Sequence, residues 1–370
     1  MTDYINTQEL FKAHIQHASP YRGGATRDAG IPVRYKLSSN ENMLGPSPMA
    51  LAAISDNLDR INEYSFENDL ALRNALALHS EGGLEPAQFI TANSAMELLD
   101  ILVRGFVSAG SEVVLSSPTF MAYKNFSMLG GATVRDVPLR LPGYGLDVEG
   151  ILAAISEKTK ILFISNPNNP TGSLVSRTEM ELLMEGLPDS VIVVYDEVYH
   201  HYVESKDYPR AIDYIRRGRN LVGLHSFSKA FGLAGLRVGY AFSTPEIAAY
   251  LQHIRRPFMI NTLSTVAAIA ALKDTGHIDK TIKENLYNKR RMYRQLETCG
   301  ISYHPTEANF ILMEPGIPAE IFVDRMMQRG VMVRNAAVMK APGKVRVTVG
   351  SREATGYFIE LLKEPAILQI

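Results

Sequence analysis

The chain has 370 residues, of which 46% are hydrophobic and 21% are charged. This length predicts two or three domains and leaves ample chain for a large buried core. The formal net charge of -1 gives no general basic surface, so we expect no nucleic-acid partner. The only cysteine, Cys299, excludes an intramolecular disulfide bond, and the absence of metal ligands around it in the sequence predicts no metal site.

The first residues are polar and lack the apolar core of a signal peptide. The sequence contains no run of about 18 apolar residues, so it predicts no membrane span. We therefore expect a cytoplasmic protein that has no membrane partner.

The first predicted element is an extended arm with turns, because residues 21–48 are rich in Gly, Pro, Ser and Asn. From about residue 50, helical patterns, among them one at 95–103, alternate with short apolar runs. Runs of this kind are typical of parallel strands that are covered on both faces. The alternation predicts a doubly wound α/β sheet, in which ligands bind beyond the carboxyl ends of the strands. The predicted strands are residues 113–115, 161–164, 191–195 and 221–225.

The pattern changes after Pro245. One long helical region is predicted from residue 246 to about 296. A smaller α/β unit follows, with strands at 310–313, 331–333 and 345–349. We expect an N-terminal arm (1–49) that packs with the small domain, a large domain (50–248) and a small C-terminal domain (249–370).

Two polar segments directly follow predicted strands. Residues 165–172 read Ser-Asn-Pro-Asn-Asn-Pro-Thr-Gly, in which prolines restrict the backbone around Asn169. That amide could donate to a ligand, although the segment could also be a simple turn. Asp196 ends the next strand. It could pair with a cationic ring nitrogen or cap a helix.

A lysine follows a third predicted strand, in the run Ser-Phe-Ser-Lys-Ala-Phe-Gly-Leu-Ala-Gly-Leu-Arg-Val-Gly-Tyr at 226–240. A lone lysine is usually a surface charge. A desolvated lysine beside cations loses its proton readily and attacks carbonyl carbons. Because parallel strands end at one edge of a sheet, Asn169, Asp196 and Lys229 should lie close together.

The run around Lys229 resembles the lysine signature of fold-type-I pyridoxal-phosphate-dependent aminotransferases, particularly the histidinol-phosphate aminotransferase branch. Residues 38–48 and 346–352 resemble that branch's N-terminal and C-terminal motifs. The resemblance spans about residues 21–362. It implies pyridoxal 5'-phosphate as cofactor, a homodimer with shared sites, and a large doubly wound domain with a mixed, mostly parallel sheet beside a smaller α/β domain.

The resemblance also implies roles around the cofactor ring. Lys229 would hold the cofactor as a Schiff base and move the substrate proton. Asp196 would pair with the pyridine nitrogen. Asn169 and Tyr199 would bind the phenolic oxygen, and Phe120 would stack on the ring.

Further residues match the family's phosphate and substrate contacts. The cofactor phosphate would bind Ser226, Ser228, Arg237, the backbone amides of Ala95 and Met96, and Tyr64 across a dimer interface. Met96 replaces the family's usual acidic residue. The substrate contacts implied for the branch are Tyr21, Asn40, Arg334 and Arg346.

The expected reaction is transfer of an amino group between histidinol phosphate, or an aromatic or other amino acid, and 2-oxoglutarate by a ping-pong mechanism. A decarboxylase or lyase of an amino acid or its phosphate would share every cofactor residue. A nicotinamide or P-loop enzyme is disfavoured, because residues 143–145 lack the third glycine of a dinucleotide fingerprint and no P-loop motif is present.

Overall fold

The computed structural model describes residues 10–16, 31–65, 67–79 and 82–369. In these ranges the α-helices are α1 Ala13–Gln16, α2 Pro48–Ser55, α3 Asn68–His79, α4 Ala95–Phe106, α5 Met121–Leu129, α6 Val148–Ala154, α7 Arg177–Gly186, α8 Ala211–Arg216, α9 Pro245–Gln252, α10 Thr262–Lys273, α11 Thr275–Thr298, α12 Ala319–Gln328, α13 Arg352–Leu362 and α14 Pro365–Leu368. The strands are β1 Tyr35–Lys36, β2 Phe89–Ala92, β3 Glu112–Leu115, β4 Thr133–Asp136, β5 Thr159–Ser165, β6 Ile192–Asp196, β7 Leu221–Ser226, β8 Gly239–Phe242, β9 Ser302–His304, β10 Phe310–Glu314, β11 Val331–Met332, β12 Arg334–Asn335 and β13 Val345–Thr348.

Seven of the described strands form the largest sheet, in the order β2-β8-β7-β6-β5-β3-β4. Strands β3 to β7 are mutually parallel, whereas β8 is antiparallel to both β7 and β2. The four strands predicted for the large domain are therefore confirmed as β3, β5, β6 and β7. The predicted fold class, a doubly wound and mostly parallel mixed sheet, is also confirmed.

The central strands are apolar at consecutive positions because both faces of the sheet are covered. In β5, Leu162 and Ile164 pack into the hydrophobic core on one face, while Ile161 and Phe163 pack into a second core. This packing explains why short unbroken apolar runs, and no alternating pattern, marked these strands in the sequence.

The long region predicted at 246–296 is helical, and the structure divides it into three helices, α9, α10 and α11. Local capping explains two of the boundaries. The side chain of Asn261 accepts the amide of Ser264 at 2.8 Å, and Asp274 accepts the amide of His277 at 3.1 Å. Each cap satisfies a backbone donor that would otherwise lack a partner, so a new helix starts there.

The C-terminal part contains a second sheet, in the order β12-β13-β10-β9, in which neighbouring strands are antiparallel. The arm joins this part, because β1 pairs in parallel with β11 and Leu37 lies in the hydrophobic core that contains Val347 and Phe358. We still propose the three-part division predicted from the sequence. However, α10 packs on α2 and α3, and its Ala268 belongs to the core beneath the large sheet. A boundary after Lys273 therefore fits the packing better than one at residue 248.

Candidate active site

A cavity of about 360 Å³ lies at the carboxyl ends of β5, β6 and β7. Thirteen residues that the sequence predicted for the site line it: Asn40, Ala95, Met96, Phe120, Asn169, Asp196, Tyr199, Ser226, Ser228, Lys229, Arg237, Arg334 and Arg346. Two predicted residues are not among them. Tyr21 lies outside the described residues, and Tyr64 is 74% exposed elsewhere on the surface.

Lys229 lies three residues beyond β7, and its Nζ donates a hydrogen bond to the carbonyl oxygen of Ser39 at 3.0 Å. Burial, together with the positive charge of Arg346, lowers the pKa of Lys229 to about 8. The uncharged fraction of this amine near neutral pH is consequently much larger than that of an ordinary lysine. The uncharged form is the one that attacks a carbonyl carbon or accepts a proton.

Asp196 is the last residue of β6, and its carboxylate is buried. Oδ1 accepts the amide of Val198 at 3.0 Å, and Oδ2 accepts the hydroxyl of Tyr123 at 2.6 Å. Burial raises the pKa of Asp196 despite these donors. A cationic group in the cavity would offset the cost of the buried charge.

The sequence analysis missed Tyr123. A signal for it was available. Tyr123 lies about one helical turn after Phe120, the predicted ring-stacking residue, and therefore on the same face of the helix. The tyrosine ring stacks on Phe163 with centroids 4.9 Å apart, and this contact holds the hydroxyl toward Asp196. The cavity is also lined by Lys36, Ser39 and Glu41 of the arm, none of which the sequence analysis singled out.

Hydrogen bonds connect the arm, the large sheet and the C-terminal sheet around the cavity. Asn40 Nδ2 donates to the hydroxyl of Tyr199 at 3.0 Å. Arg346 Nη1 donates to Asn169 Oδ1, and Nη2 donates to the carbonyl of Ser38, both at 2.6 Å. The polar groups that surround Lys229 therefore come from distant parts of the sequence.

The amino end of α4 forms one wall of the cavity. Ser94 precedes the helix with φ 115°, which leaves the first amides of the helix, at Ala95 and Met96, at this wall. A Cβ at Gly239 would lie 2.8 Å from the Ala95 nitrogen, so only glycine permits β8 to approach the helix this closely. Free amides and the helix dipole favour an anion here.

An acidic side chain directly follows Met96, the residue that replaces the family's usual acidic one. Glu97, one residue later, accepts the amide of Asn93 through Oε2 at 2.8 Å. The carboxylate also lies in the first helical turn, where it is favourable to the helix dipole.

Hydroxyl and guanidinium groups from the end of β7 and the segment after it lie beside this wall. Ser226 and Ser228 are buried at the cavity, and Ser226 Oγ accepts the amide of Ser228 at 3.1 Å. Arg237 adopts a left-handed conformation with φ 53°, and its Nη1 donates to the carbonyl of Ala234 at 2.8 Å. Together with the helix amides, these groups are a donor set suited to a phosphate.

Arg334 on β12 lies directly opposite Arg346 on the neighbouring antiparallel strand β13. Directly opposite residues of an antiparallel pair point to the same face of the sheet, and both of these line the cavity. Two cations in this relationship repel each other unless other groups or an anionic ligand compensate.

Pyridoxal phosphate fits these residues. The cavity contains the buried amine of Lys229, whose pKa is lowered, and the buried carboxylate of Asp196. It also contains the amino end of α4, which can bind an anion and which a Cβ at position 239 would displace. These are the groups that would hold an aldehyde carbon, a pyridinium nitrogen and a phosphate.

The sequence model of the family described as aminotransferase class I and II matches residues 34–362. The chain belongs to the class I and II aminotransferases. Its cofactor is pyridoxal 5'-phosphate, and the predicted enzyme class is confirmed.

Similar aminotransferases include two histidinol-phosphate aminotransferases. The protein from Moorella thermoacetica is 39% identical, over 91% of this chain and 87% of its own length. The protein from Brevibacillus brevis is 36% identical, over 95% of this chain and 97% of its own length. The crystal structure of histidinol-phosphate aminotransferase from Sinorhizobium meliloti in complex with pyridoxal-5'-phosphate superposes with a TM-score of 0.88 at 28% identity, over 96% of this chain and 97% of that one.

Two further properties concern the described part of this aminotransferase. None of its helices combines the length and the apolar character that a membrane span requires. Within the same residues, His, Cys, Asp and Glu side chains form no group of three or more that could bind a metal ion.

Proposed function

We propose that this aminotransferase transfers the amino group of histidinol phosphate to 2-oxoglutarate by a ping-pong mechanism. The observation that carries the proposal is the opposed pair Arg334 and Arg346 at the cavity. The two sequence relatives named above support the same donor, because each is a histidinol-phosphate aminotransferase.

The charge of the donor explains why two arginines are useful. A phosphate ester carries up to two negative charges and three acceptor oxygens, so it can accept charge-assisted hydrogen bonds from both guanidinium groups. A donor with a single carboxylate needs only one forked contact, for which Arg346 suffices.

Aromatic amino acids are a second candidate class of donor. The cavity wall includes the apolar side chains of Leu99, Met121 and Met339. A phenyl or phenol ring could pack against these groups while its carboxylate binds Arg346. The decarboxylase or lyase alternative is not favoured, because the relatives named above are aminotransferases.

The proposed roles follow from the positions of the side chains. When bound, pyridoxal phosphate supplies an electron sink for negative charge at the α-carbon of the substrate. Lys229, whose amine is buried and partly uncharged, takes the α-proton and returns it. Asp196 holds the ring nitrogen in its protonated state.

The remaining predicted residues orient the cofactor. Asn169 and Tyr199 would bind the phenolic oxygen, and Phe120 would cover the ring. The amino end of α4, with Ser226, Ser228 and Arg237, would bind the phosphate, and Tyr64 of a second subunit would complete that site in a homodimer.

A panel of donors tests the proposal. Purified enzyme loaded with pyridoxal phosphate is mixed with each amino donor in the absence of an oxo acid, and the visible absorbance is followed. In a ping-pong mechanism the first half-reaction proceeds without the acceptor. Histidinol phosphate should give the highest second-order rate constant, and 2-oxoglutarate should restore the original spectrum. Faster reaction with phenylalanine or tyrosine would assign the enzyme to the aromatic donors.

A further inference from the structure

A row of polar side chains crosses the large sheet on the face opposite the cofactor cavity. The amide of Glu197 donates to the carbonyl of Leu224 at 3.0 Å, which extends the pairing of β6 and β7 by one residue. Successive side chains of a strand point to opposite faces, so Glu197 points away from the face that Asp196 occupies. His225 and Tyr240 are paired across β7 and β8 and continue the row.

Hydrogen bonds join the three side chains into a chain. Glu197 Oε2 lies 3.2 Å from His225 Nε2, and His225 Nδ1 lies 2.8 Å from the hydroxyl of Tyr240. Burial lowers the pKa of His225 to about 3, so its ring is neutral and carries one proton. When Glu197 is ionised its carboxylate can only accept, so that proton is then on Nε2, and Tyr240 donates to Nδ1.

Glu197 is the hub of this network. Its Oε1 accepts the hydroxyl of Tyr208 at 2.8 Å and the amide of Ala211 at 3.2 Å. The Tyr208 hydroxyl also lies 3.0 Å from the carbonyl of Asn166. Donors therefore converge on both carboxylate oxygens of Glu197, an arrangement that favours its charged form, whereas burial raises its pKa to about 7.

Glu197, His225 and Tyr240 are close in sequence to groups at the cofactor cavity, and Tyr208 donates to the turn that carries Asn169. Glu197 and His225 directly adjoin Asp196 and Ser226 in the chain. Tyr240 follows Gly239, the glycine that permits the approach of α4, and Asn166 begins the turn that carries Asn169. The roles proposed above for the reaction do not include Glu197.

We propose that Glu197 is a positioning residue for the reaction, which through His225, Tyr240 and Tyr208 fixes the strand ends that hold the cofactor. This inference rests on the proposed roles of Asp196, Ser226 and Asn169. Glu197 touches neither cofactor nor substrate, and it acts by holding the backbone of its neighbours. When ionised, it places a negative charge one residue from Asp196, which would favour the protonated forms of the bound cofactor.

The test replaces Glu197 with Gln, which keeps the shape of the side chain but introduces two donors among groups that already donate. Gln can keep its contact with His225 only if the imidazole changes to its other tautomer, and every hydrogen bond that remains then lacks charge assistance. We expect the Glu197→Gln protein to bind pyridoxal phosphate about tenfold more weakly or worse, as the loss of a charge-assisted hydrogen bond predicts. The pH midpoint of the visible absorbance of the bound cofactor should fall, because a negative charge that favours protonation is removed.

The control is Glu112→Gln. Glu112 is also a buried carboxylate of the large sheet, but it lies at the opposite, amino end of β3, where it pairs with Arg135 and Ser156. Its loss should lower the melting temperature and leave both the cofactor affinity and the absorbance midpoint unchanged. A parallel variant, Tyr240→Phe, removes only the hydroxyl that contacts His225. It should also weaken cofactor binding, but by a smaller factor.

A folded Glu197→Gln protein with wild-type affinity and midpoint would overturn the proposal. If that protein does not fold, Tyr240→Phe decides, and wild-type values there would equally overturn it. The proposed function would survive either result, since it is tested separately by the donor panel and by replacement of Lys229.

Discussion

The hydroxyl of Tyr123 donates a hydrogen bond of 2.6 Å to Oδ2 of the buried Asp196. Tyr123 thus supports the residue proposed to bind the ring nitrogen, and it comes from a different layer of the fold. The carboxylate has one charge-assisted donor on each oxygen, from Tyr123 and from the amide of Val198.

Replacing Asp196 and Tyr123 should therefore have graded effects. Asp196→Ala should lower kcat/KM by several orders of magnitude, because no group would then hold the ring nitrogen protonated, and Asp196→Glu should do less damage. Tyr123→Phe keeps the stacked ring and removes one hydrogen bond to a charged group, worth roughly 1.5–3 kcal/mol, so about a tenfold loss or somewhat more is expected. The measurement is steady-state kinetics with circular dichroism as the folding control. Near-normal deprotonation of the α-carbon in Asp196→Ala would refute the assigned role.

Covalent attachment of the cofactor should depend on Lys229. Lys229→Ala should lose turnover, because the amine that reacts is gone. Its fold should be retained, and the remaining wall of the cavity should still bind the phosphate and the ring. Reduction of the wild-type holoenzyme with borohydride, followed by peptide mapping, should place the label on Lys229. A label on any other lysine would exclude this residue as the attachment site.

The pH dependence of attachment should follow the pKa of Lys229, which burial and Arg346 lower to about 8. Only the uncharged amine reacts, so the rate constant for adding pyridoxal phosphate to the apoprotein should rise with pH and reach half its maximum near that value. Glu41 favours the charged amine, and Glu41→Gln should move the midpoint to lower pH. Arg346→Gln removes a cation and should move it to higher pH. Shifts of both variants in one direction would contradict the electrostatic explanation.

The donor preference should depend on Arg334. A phosphate ester would use both arginines, whereas an amino acid carboxylate would use Arg346 alone. Arg334→Ala should lower kcat/KM for histidinol phosphate about tenfold to hundredfold, the equivalent of roughly 1.5–3 kcal/mol, and should change the value for phenylalanine much less. Equal losses for both donors would make Arg334 a structural residue.

The shared site predicts that activity requires a dimer. Tyr64 is 74% exposed, and its ring centroid lies 5.1 Å from that of Phe258, which is also exposed. If Tyr64 serves the neighbouring subunit and Tyr64→Phe is strongly impaired, mixing that variant with Lys229→Ala should restore activity. Random pairing leaves about a quarter of all sites intact. Sedimentation of a fully active monomer would rule out the shared site.

The sequence by itself was sufficient to predict the parallel strands and the residues at their carboxyl ends. Continuous apolar runs must be buried on both faces, and parallel strands end at one edge, so sequence patterns alone place Asn169, Asp196 and Lys229 together. Local pattern was less informative where only tertiary contacts distinguish the elements. The antiparallel strand β8 was missed, and the breaks that divide the helical region 246–296 into α9, α10 and α11 were not predicted.

Tertiary structure alone decided which distant groups complete the site. Tyr123 is aimed at Asp196 by its stacking on Phe163, and the Ser39 carbonyl reaches Lys229 from 190 residues away in sequence. Arg334 and Arg346 lie opposite each other because of the register of two short strands. Sequence patterns report the faces and ends of single elements, because those follow from local burial. Contacts between elements depend on packing, which brings together residues that share no local pattern.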